Sequence, residues 1–408
     1  MIKEFLKHNL TIKNIVEIIS IFLPIIASFL PMDLFLVIGT TICILLVINF
    51  RQFKHSFMYK GNFLFYIYAF YMGILALVNN NLLGLIAVFF LLLILIYISF
   101  LRTIITKIKF DVLMLVIALG SLFSLYYSTV NFYTTSTYSL YEFFMKLILI
   151  PYTFVVGIAE GVRSSSTFIQ PNFYGHLSAF IALISLYYIL SSLKKIYHKY
   201  YLYLLKLVFF VVILGVNLFA LNLTQSRSAY IGFIVGALVL VLIFDTRLFI
   251  GLSITLGFLI TTKYDRLLSL FPRLDTVSLD SVGRINLYKS AIEAIKDSWL
   301  FGKGFYTYPL VYQKYSTQYE IHTHNIFLEL ILDSGFVGIS IVAAYYSTYI
   351  KRPFKDWVHR NKEYLPLVCG VLALEVANGL TDAVLIFPQS FILLSIVLLS
   401  LELNEKLE

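Results

Sequence analysis

The segment "YLYLLKLVFFVVILGVNLFALNLTQSRSAYIGFIVGALVLVLIF", residues 201–244, contains two apolar runs separated by a short polar stretch. Each run is close to the roughly 20 residues that an α-helix needs to cross the hydrocarbon core of a bilayer. Similar runs recur along almost the whole chain of 408 residues, which is 60% hydrophobic and only 13% charged. This composition is far from that of soluble domains and predicts an all-α polytopic membrane protein.

The apolar runs predict about twelve transmembrane helices. The polar, basic N-terminus is followed by an apolar run without a small-residue cleavage site, so the first run is interpreted as a retained span. We expect the whole chain, residues 1–408, to form a single membrane domain. The predicted spans are residues 13–31, 33–50, 62–79, 82–101, 110–130, 172–193, 201–222, 226–244, 247–262, 325–350, 364–381 and 384–403.

The basic clusters predict the orientation. Lys and Arg are concentrated at residues 51–60, 102–109, 194–199 and 351–362, which all fall on one side of the predicted membrane domain. The positive-inside bias assigns that side, and both termini, to the cytoplasm. Because topology explains the net charge of +9, nucleic acid is not expected as a partner.

One apolar segment complicates this topology. Residues 144–162 are apolar enough to cross the membrane, but a crossing there would invert every later loop. Pro151, Gly157 and Glu160 suit a broken helix that faces protein or water. We therefore interpret residues 139–171 as an outer re-entrant or interfacial segment, and a full span is the alternative.

Residues 261–324 form the longest polar segment, and the predicted orientation makes it an extracytoplasmic loop. Within it, "RINLYKSAIEAIKDSWL" (284–300) has apolar residues at helical spacing and predicts an amphipathic helix. The glycine cluster "FGKGF" (301–305) lacks the preceding strand of a nucleotide site and is interpreted as a turn. The Tyr-rich residues 306–319 either stack on sugar rings or form an interfacial aromatic belt. The apolar residues at helical spacing in the predicted amphipathic helix, residues 284–300, are Ile285, Leu287, Tyr288, Ala291, Ile292 and Ile295.

Cysteine usage excludes two kinds of site. Cys43 and Cys369 both lie within apolar runs, where cysteine behaves as a small apolar side chain. Neither a disulfide framework nor a cysteine-based zinc site is expected.

Three arginines lie on the predicted outer side, where topology gives no reason for a positive charge: Arg163, Arg227 and Arg284. A planar guanidinium binds phosphate oxygens in a bidentate manner. We therefore expect these residues to bind an anionic, phosphate-containing substrate. The alternative is interfacial snorkelling or pairing with Glu160, Asp280 or lipid headgroups.

Two histidines, His322 and His324, precede an apolar helix for which Asn325 is a good N-cap. His324 is therefore expected just outside the positive end of a helix dipole, which favours a neutral imidazole suited to act as a general base. Two alternatives remain open, a surface pair without a role and a metal site. For a metal the outer loop offers carboxylates without a ligand motif: Asp275, Asp280, Asp297 and Glu320.

The succession "PNFYGH" (171–176), "TQSRSAY" (224–230), "GRINLYKSAIEAIKDSWLFGKGF" (283–305) and "HTHNIFLELILDSGFVG" (322–338) resembles the O-antigen ligase and O-antigen polymerase superfamily of bacterial membrane glycan transferases. The resemblance covers approximately residues 160–345. The family's pattern of His-Asn, nine residues, then Gly-x-x-Gly matches His324, Asn325, Gly335 and Gly338.

This resemblance implies about twelve spans and transfer of a glycan from an undecaprenyl-pyrophosphate donor to an acceptor sugar hydroxyl, without a metal or other cofactor. It implies that His324 is the catalytic base. It also implies that Arg163, Arg227 and Arg284 hold the donor pyrophosphate. We expect His322 and Asn325 to bind substrate as well.

Polymerisation of surface repeat units (capsule, exopolysaccharide or O-antigen) is the preferred reading, because the bias towards Ile, Lys, Phe and Tyr is typical of AT-rich genomes such as those of many Gram-positive bacteria. A ligase that moves the glycan to a terminal lipid or protein acceptor is the alternative. A transporter or flippase of lipid-linked glycan is a third possibility, although its spans would carry more mid-membrane charge, Gly or Pro. A repeat-unit flippase and a chain-length regulator are conceivable partners.

Overall fold

A computed structural model describes residues 12–30, 39–41, 44, 54, 57–58, 62–133, 163–168, 170–197, 200–270, 277–315, 322–357 and 363–406. Within these ranges the chain forms helices and turns and contains no β-strand. The α-helices are α1 (Ile12–Ala27), α2 (Phe63–Val78), α3 (Leu82–Ile104), α4 (Lys107–Tyr133), α5 (Pro171–Lys195), α6 (Tyr200–Thr224), α7 (Arg227–Phe244), α8 (Thr246–Leu270), α9 (Val277–Lys296), α10 (Tyr308–Val311), α11 (Ile326–Trp357), α12 (Leu365–Gly379) and α13 (Pro388–Leu399). Short 3₁₀ turns occupy Tyr312–Lys314, Val384–Ile386 and Ser400–Lys406.

The described helices confirm an all-α protein of the polytopic membrane class. Six helices are long and apolar enough to cross a bilayer, and five shorter apolar helices accompany them. All eleven overlap predicted spans. The remaining prediction, 33–50, falls largely outside the described residues, so the total of about twelve stays a prediction. Cys43 and residues 144–162 also lie outside the described part of the chain, whereas Cys369 is half-buried in α12.

Helix α5 is the centre of the fold. Every side chain from Phe173 to Ser185 is buried, as expected for a helix that is apolar around its whole circumference. Helices α6, α7 and α12 pack around it. Helices α7 and α12 approach closely at Gly236 and Gly370, where a Cβ on Gly236 would lie 2.7 Å from the Gly370 carbonyl oxygen. Small residues allow such backbone contact between membrane helices.

A polar network joins the ends of three helices at one side of the bundle. Glu363 accepts hydrogen bonds from Lys195 (2.6 Å) and from Lys107, and Asp111 accepts one from Tyr188 (2.6 Å). Lys107 and Lys195 belong to basic clusters that were predicted to share one side, and the network brings them together. Asn172, near the other end of α5, is about 35 Å away along the helix axis.

The segment of the polar loop that was predicted to form an amphipathic helix lies largely within α9, but only some of its apolar residues are buried. Leu287, Ala291 and Ala294 are buried, whereas Ile285 and Ile292 are about half exposed. The buried face packs towards α11, where Ala294 joins a small apolar cluster. The helix therefore has apolar residues on two faces.

The glycine cluster at residues 301–305 is a turn, as predicted. Asn79 and Asn81, from the α2–α3 connection, donate side-chain hydrogen bonds to the carbonyls of Lys303 (3.0 Å) and Phe305 (2.7 Å). Both contacts use backbone atoms of the cluster. Through these contacts the cluster anchors the polar loop to the N-terminal half of the chain. The Tyr-rich stretch that follows begins inside the protein, because Tyr308 is fully buried.

Helix α11 is kinked at Gly335, which has φ 58° and ψ −174°. The backbone N–H groups of Phe336 and Val337, freed by the kink, donate to the carbonyls of Trp299 and Leu300, both at 3.0 Å. The loop therefore caps the second half of α11. This backbone conformation is essentially restricted to glycine.

Replacement of Gly335 by Ala should destabilise the protein. A Cβ there would lie 2.5 Å from the Gly302 nitrogen and from the Leu300 carbonyl oxygen, and the backbone would be strained as well. We expect a loss of about 2–4 kcal/mol in the free energy of unfolding, measured as a lower melting temperature in detergent. Gly215→Ala is the matched control, since a Cβ there meets no atom within 4 Å. Equal melting temperatures for Gly335→Ala and the wild type would contradict the conclusion that the kink requires glycine at this position.

Candidate functional site

The turn before α11 brings His322 and His324 together. The N-cap Asn325 accepts hydrogen bonds from the backbone N–H groups of Phe327 (3.0 Å) and Leu328 (3.1 Å), so His324 lies just outside the helix, as predicted. His324 has a left-handed backbone, φ 53°, which is uncommon for a residue other than glycine. This turn places the two imidazole rings edge to face with their centres 4.3 Å apart.

Asp382 faces both histidines. It lies in the turn after α12 and is almost completely buried, and its Oδ1 is 3.4 Å from His324 Nδ1 and 4.0 Å from His322 Nε2. Burial opposes ionisation of this carboxyl, but the nearby His324 and His322 outweigh it when they are protonated, and the pKa falls from 3.8 to about 2. Asp382 is therefore an anion at neutral pH.

The contacts of the two rings indicate where their protons lie. His322 Nδ1 accepts the backbone N–H of His324 at 3.2 Å, so a neutral His322 carries its proton on Nε2, which faces Asp382. For His324, the carboxylate beside Nδ1 favours a proton on Nδ1 and leaves the lone pair on Nε2. The His324 side chain is 17% exposed, compared with 2% for His322. His324 is thus the histidine that can meet a substrate.

A metal ion is the alternative use of this cluster. His322, His324 and Asp382 each offer one ligand atom, and these atoms lie within 4.8 Å of one another. A metal needs a nitrogen lone pair from each imidazole. The ring nitrogens that face Asp382 are the protonated ones in the arrangement just described. A metal ion on His322 Nε2 would require the ring proton on Nδ1, where the backbone N–H of His324 already donates, so the His322 contact favours a histidine–carboxylate pair over a metal centre.

Arg163 connects to this cluster through Asn172. Its Nε donates to the Thr224 carbonyl oxygen (2.9 Å) and its Nη2 donates to Asn172 Oδ1 (2.5 Å). Asn172 Nδ2 in turn donates to Asp382 Oδ2 at 2.7 Å. One continuous chain of polar contacts therefore runs from Arg163 to His324.

The other two arginines lie on the segments next to this chain. Arg227 is the first residue of α7, three positions after Thr224. Arg284 is one helical turn before Tyr288, whose hydroxyl donates to the His324 carbonyl oxygen at 3.2 Å. Burial raises the pKa of Tyr288, and the positive charge of Arg284, one turn away on the same helix, opposes this rise. Binding of substrate by either arginine stays a prediction.

Asn325 has a structural role in addition to any contact with substrate. Its Oδ1 caps α11, and its Nδ2 donates to the Leu380 carbonyl oxygen at 3.0 Å. It thereby ties the histidine turn to the segment that carries Asp382. A direct contact between Asn325 and substrate stays a prediction.

Asp382, Asn172 and Tyr288 were not predicted as site residues. Asn172 and Tyr288 lie within the motif segments. The carboxylates considered as partners of the histidines all lie in residues 261–324, and Asp382 is not among them. Asp382 stands alone in "GLTDAV" (379–384), between the last two predicted spans. The one feature of the sequence that could have indicated Asp382 is that it is an acidic residue in the short turn between two predicted spans.

The comparison with protein families agrees with the motifs. A family model described as O-antigen ligase matches residues 209–343, a region that includes Arg227, Arg284 and His324. Arg163 and Asp382 lie outside it. A search of curated proteins found no match. Over these residues the chain is similar to the O-antigen ligase family.

Proposed function

We propose that this protein transfers a glycan from an undecaprenyl-pyrophosphate donor to an acceptor sugar hydroxyl at the outer face of the bacterial cytoplasmic membrane. The observation that carries this proposal is the contact between His324 Nδ1 and Asp382 Oδ1, at 3.4 Å, at the end of a polar chain that begins at Arg163. The family match supports glycan transfer as the type of reaction.

His324 is the general base. The acceptor hydroxyl attacks the anomeric carbon of the donor glycan, its proton passes to Nε2 of His324, and the bond to the pyrophosphate oxygen breaks. The ring then becomes an imidazolium that the carboxylate of Asp382 stabilises and keeps oriented, as in other histidine–carboxylate pairs. A positioned base of this kind contributes about 10²–10⁴-fold to the rate.

The arginines hold the leaving group. Negative charge develops on the pyrophosphate as the glycosidic bond breaks, and fixed guanidinium groups stabilise such charge strongly when water is excluded. Arg163 is suited to this role because its contacts with Thr224 and Asn172 fix its orientation. Arg227 and Arg284 complete the anion site from α7 and α9. The donor is already activated, so these residues supply the chemistry without a further cofactor.

The position of the buried polar groups favours a transferase over a transporter or flippase. His176 and Glu375, joined at 3.0 Å, are a buried ionisable pair inside α5 and α12. Both lie within about two turns of the helix ends that carry Asn172 and Asp382, and not at the middle of the membrane. A transporter places its polar site near the midplane.

We assign polymerisation of lipid-linked repeat units as the reaction, and ligation to a terminal acceptor as the second candidate. The two differ in product: a polymerase gives a ladder of lengthening lipid-linked chains from the donor alone, whereas a ligase gives one product and requires a separate acceptor. A repeat-unit flippase and a chain-length regulator are the partners that a polymerase needs.

His324→Ala and Asp382→Asn should both abolish or strongly reduce transfer by the reconstituted protein with purified lipid-linked donor. Loss of the base, or of the carboxylate that orients it, removes about 10²–10⁴-fold of the rate, and the loss appears in kcat. Glu293→Gln, a change at an exposed residue paired with Lys296, is the control. Transfer by His324→Ala at the wild-type rate would overturn the proposal, as would glycolipid translocation without transfer by the wild type.

The pH dependence should show one ionisation on its acid side. As the pH falls from 8 to 4, protonation of His324 removes the base, while Asp382, with a pKa lowered to about 2, stays ionised. We therefore expect log kcat/KM to fall with a slope of about 1 per pH unit. A slope near 2, or a rate that rises as the pH falls, would contradict these roles.

Removal of divalent cations should leave the rate unchanged, because both ring nitrogens that face Asp382 are assigned protons. The measurement compares transfer before and after treatment with a chelator, followed by re-addition of Zn²⁺, Mn²⁺ or Mg²⁺. Loss of activity with the chelator and recovery with one metal would show that the cluster of His322, His324 and Asp382 is a metal centre instead.

A further inference from the structure

Glu329 is a buried carboxylate for which the reaction described above has no use. It lies in the first turn of α11 and is only 2% exposed. In the part of the chain that the structure describes, no lysine or arginine forms an ion pair with it. Burial of a carboxylate without a basic partner is unfavourable. The hydrogen bonds that Glu329 accepts must therefore offset this cost.

The contacts of Glu329 lead to the histidine turn. Its Oε2 accepts the backbone N–H of Thr323 at 2.7 Å, and the Thr323 hydroxyl donates to the Asn325 carbonyl oxygen at 2.9 Å. Thr323 is completely buried, so its backbone N–H cannot donate a hydrogen bond to water in place of Glu329. Position in the first turn of a helix also suits a carboxylate, since the helix dipole is positive there.

This arrangement is a variant of the capping box. In the usual motif, an acidic residue at the third helical position reaches back to the N–H of the N-cap residue. Here the acidic residue is at the fourth position and reaches two residues beyond the N-cap Asn325, to Thr323. The hydrogen bond therefore spans the residue between them, which is His324.

His324 needs such a restraint because of its left-handed backbone, φ 53°. A non-glycine residue keeps that conformation only where the surroundings over-determine it. Three contacts do so: His322 Nδ1 holds the His324 N–H, the Tyr288 hydroxyl holds its carbonyl, and Glu329 holds the preceding peptide. Glu329 alone among these three acts from α11, and it therefore fixes the turn to the helix.

We infer that Glu329 is a positioning residue, whose carboxylate holds the peptide before His324 so that the imidazole stays aligned with Asp382. This inference rests on the proposed function. A shift of about 1 Å in a reacting group can lower a rate about 10²-fold, and release of Thr323 would allow such a shift of the 3.4 Å contact between His324 and Asp382.

Three substitutions separate a positioning role from a structural one. Glu329→Ala removes the acceptor, and kcat should fall about 10²-fold with little change in KM. Glu329→Gln keeps an oxygen that can accept the Thr323 N–H, and kcat should stay within about threefold of the wild type. Glu329→Asp keeps the charge but is one methylene shorter, so it should resemble Glu329→Ala. The Asp variant also serves if Glu329→Ala does not fold.

Asp333 provides a matched control on the same helix. It is one turn further along α11, is 4% exposed, and its carboxylate makes no described hydrogen bond to residues 322–325. Asp333→Asn should therefore have the kcat of the wild type. Melting temperatures of all variants report whether the fold is retained.

The outcomes distinguish this inference from the proposed function. Wild-type kcat for Glu329→Asp or Glu329→Ala, in an assay where His324→Ala is inactive, would overturn the positioning role alone. An inactive but folded Glu329→Gln would overturn it as well, because the acceptor oxygen would then be insufficient. Activity of His324→Ala in the same assay would overturn the proposed function itself.

Discussion

The contact between His324 and Asp382 is the interaction on which the site depends. It joins the turn before α11, which carries His324, to the turn after α12, which carries Asp382. Burial of Asp382 is tolerated because Asn172, the backbone N–H of Ala383 and the two imidazoles surround it. The same contacts orient the ring. In the proposed mechanism, the arrangement that makes the carboxylate stable is therefore also the one that prepares His324 as a base.

The helical bundle places these turns side by side. Helix α5 is buried at the centre, and it presents Asn172 at the end where α12 carries Asp382. Close approach of α7 and α12 at Gly236 and Gly370 sets the spacing of their ends, and α7 begins at Arg227. The kink at Gly335 lets Trp299 and Leu300 of the polar loop pack against α11. Small residues inside the bundle thus control the geometry of the polar residues at the end that carries Asn172 and Asp382.

Much of this structure was predictable from local sequence. Apolar runs of membrane-spanning length predicted the helices, and Asn325 before an apolar helix predicted the cap that leaves His324 outside it. Arginines without a topological reason drew attention to Arg163, whose chain of contacts reaches the histidines. The predictions of the helices and of the cap succeeded because each feature depends on residues that are close together in the chain, or on the bilayer, which acts on every segment alike.

The features that were missed depend on tertiary contacts. A lone aspartate in a short turn has no spacing that marks it, so Asp382 becomes visible only when α12 meets the histidine turn. The exposed positions of Ile285 and Ile292 follow from packing of α9 on α11, which apolar periodicity does not specify.

A double-mutant cycle of His324→Ala and Asp382→Asn tests the central contact most directly. If the two residues act as one unit, the double variant transfers glycan as slowly as His324→Ala alone and no slower. A rate lowered by the product of the two single effects would show that they act independently and would contradict the pairing.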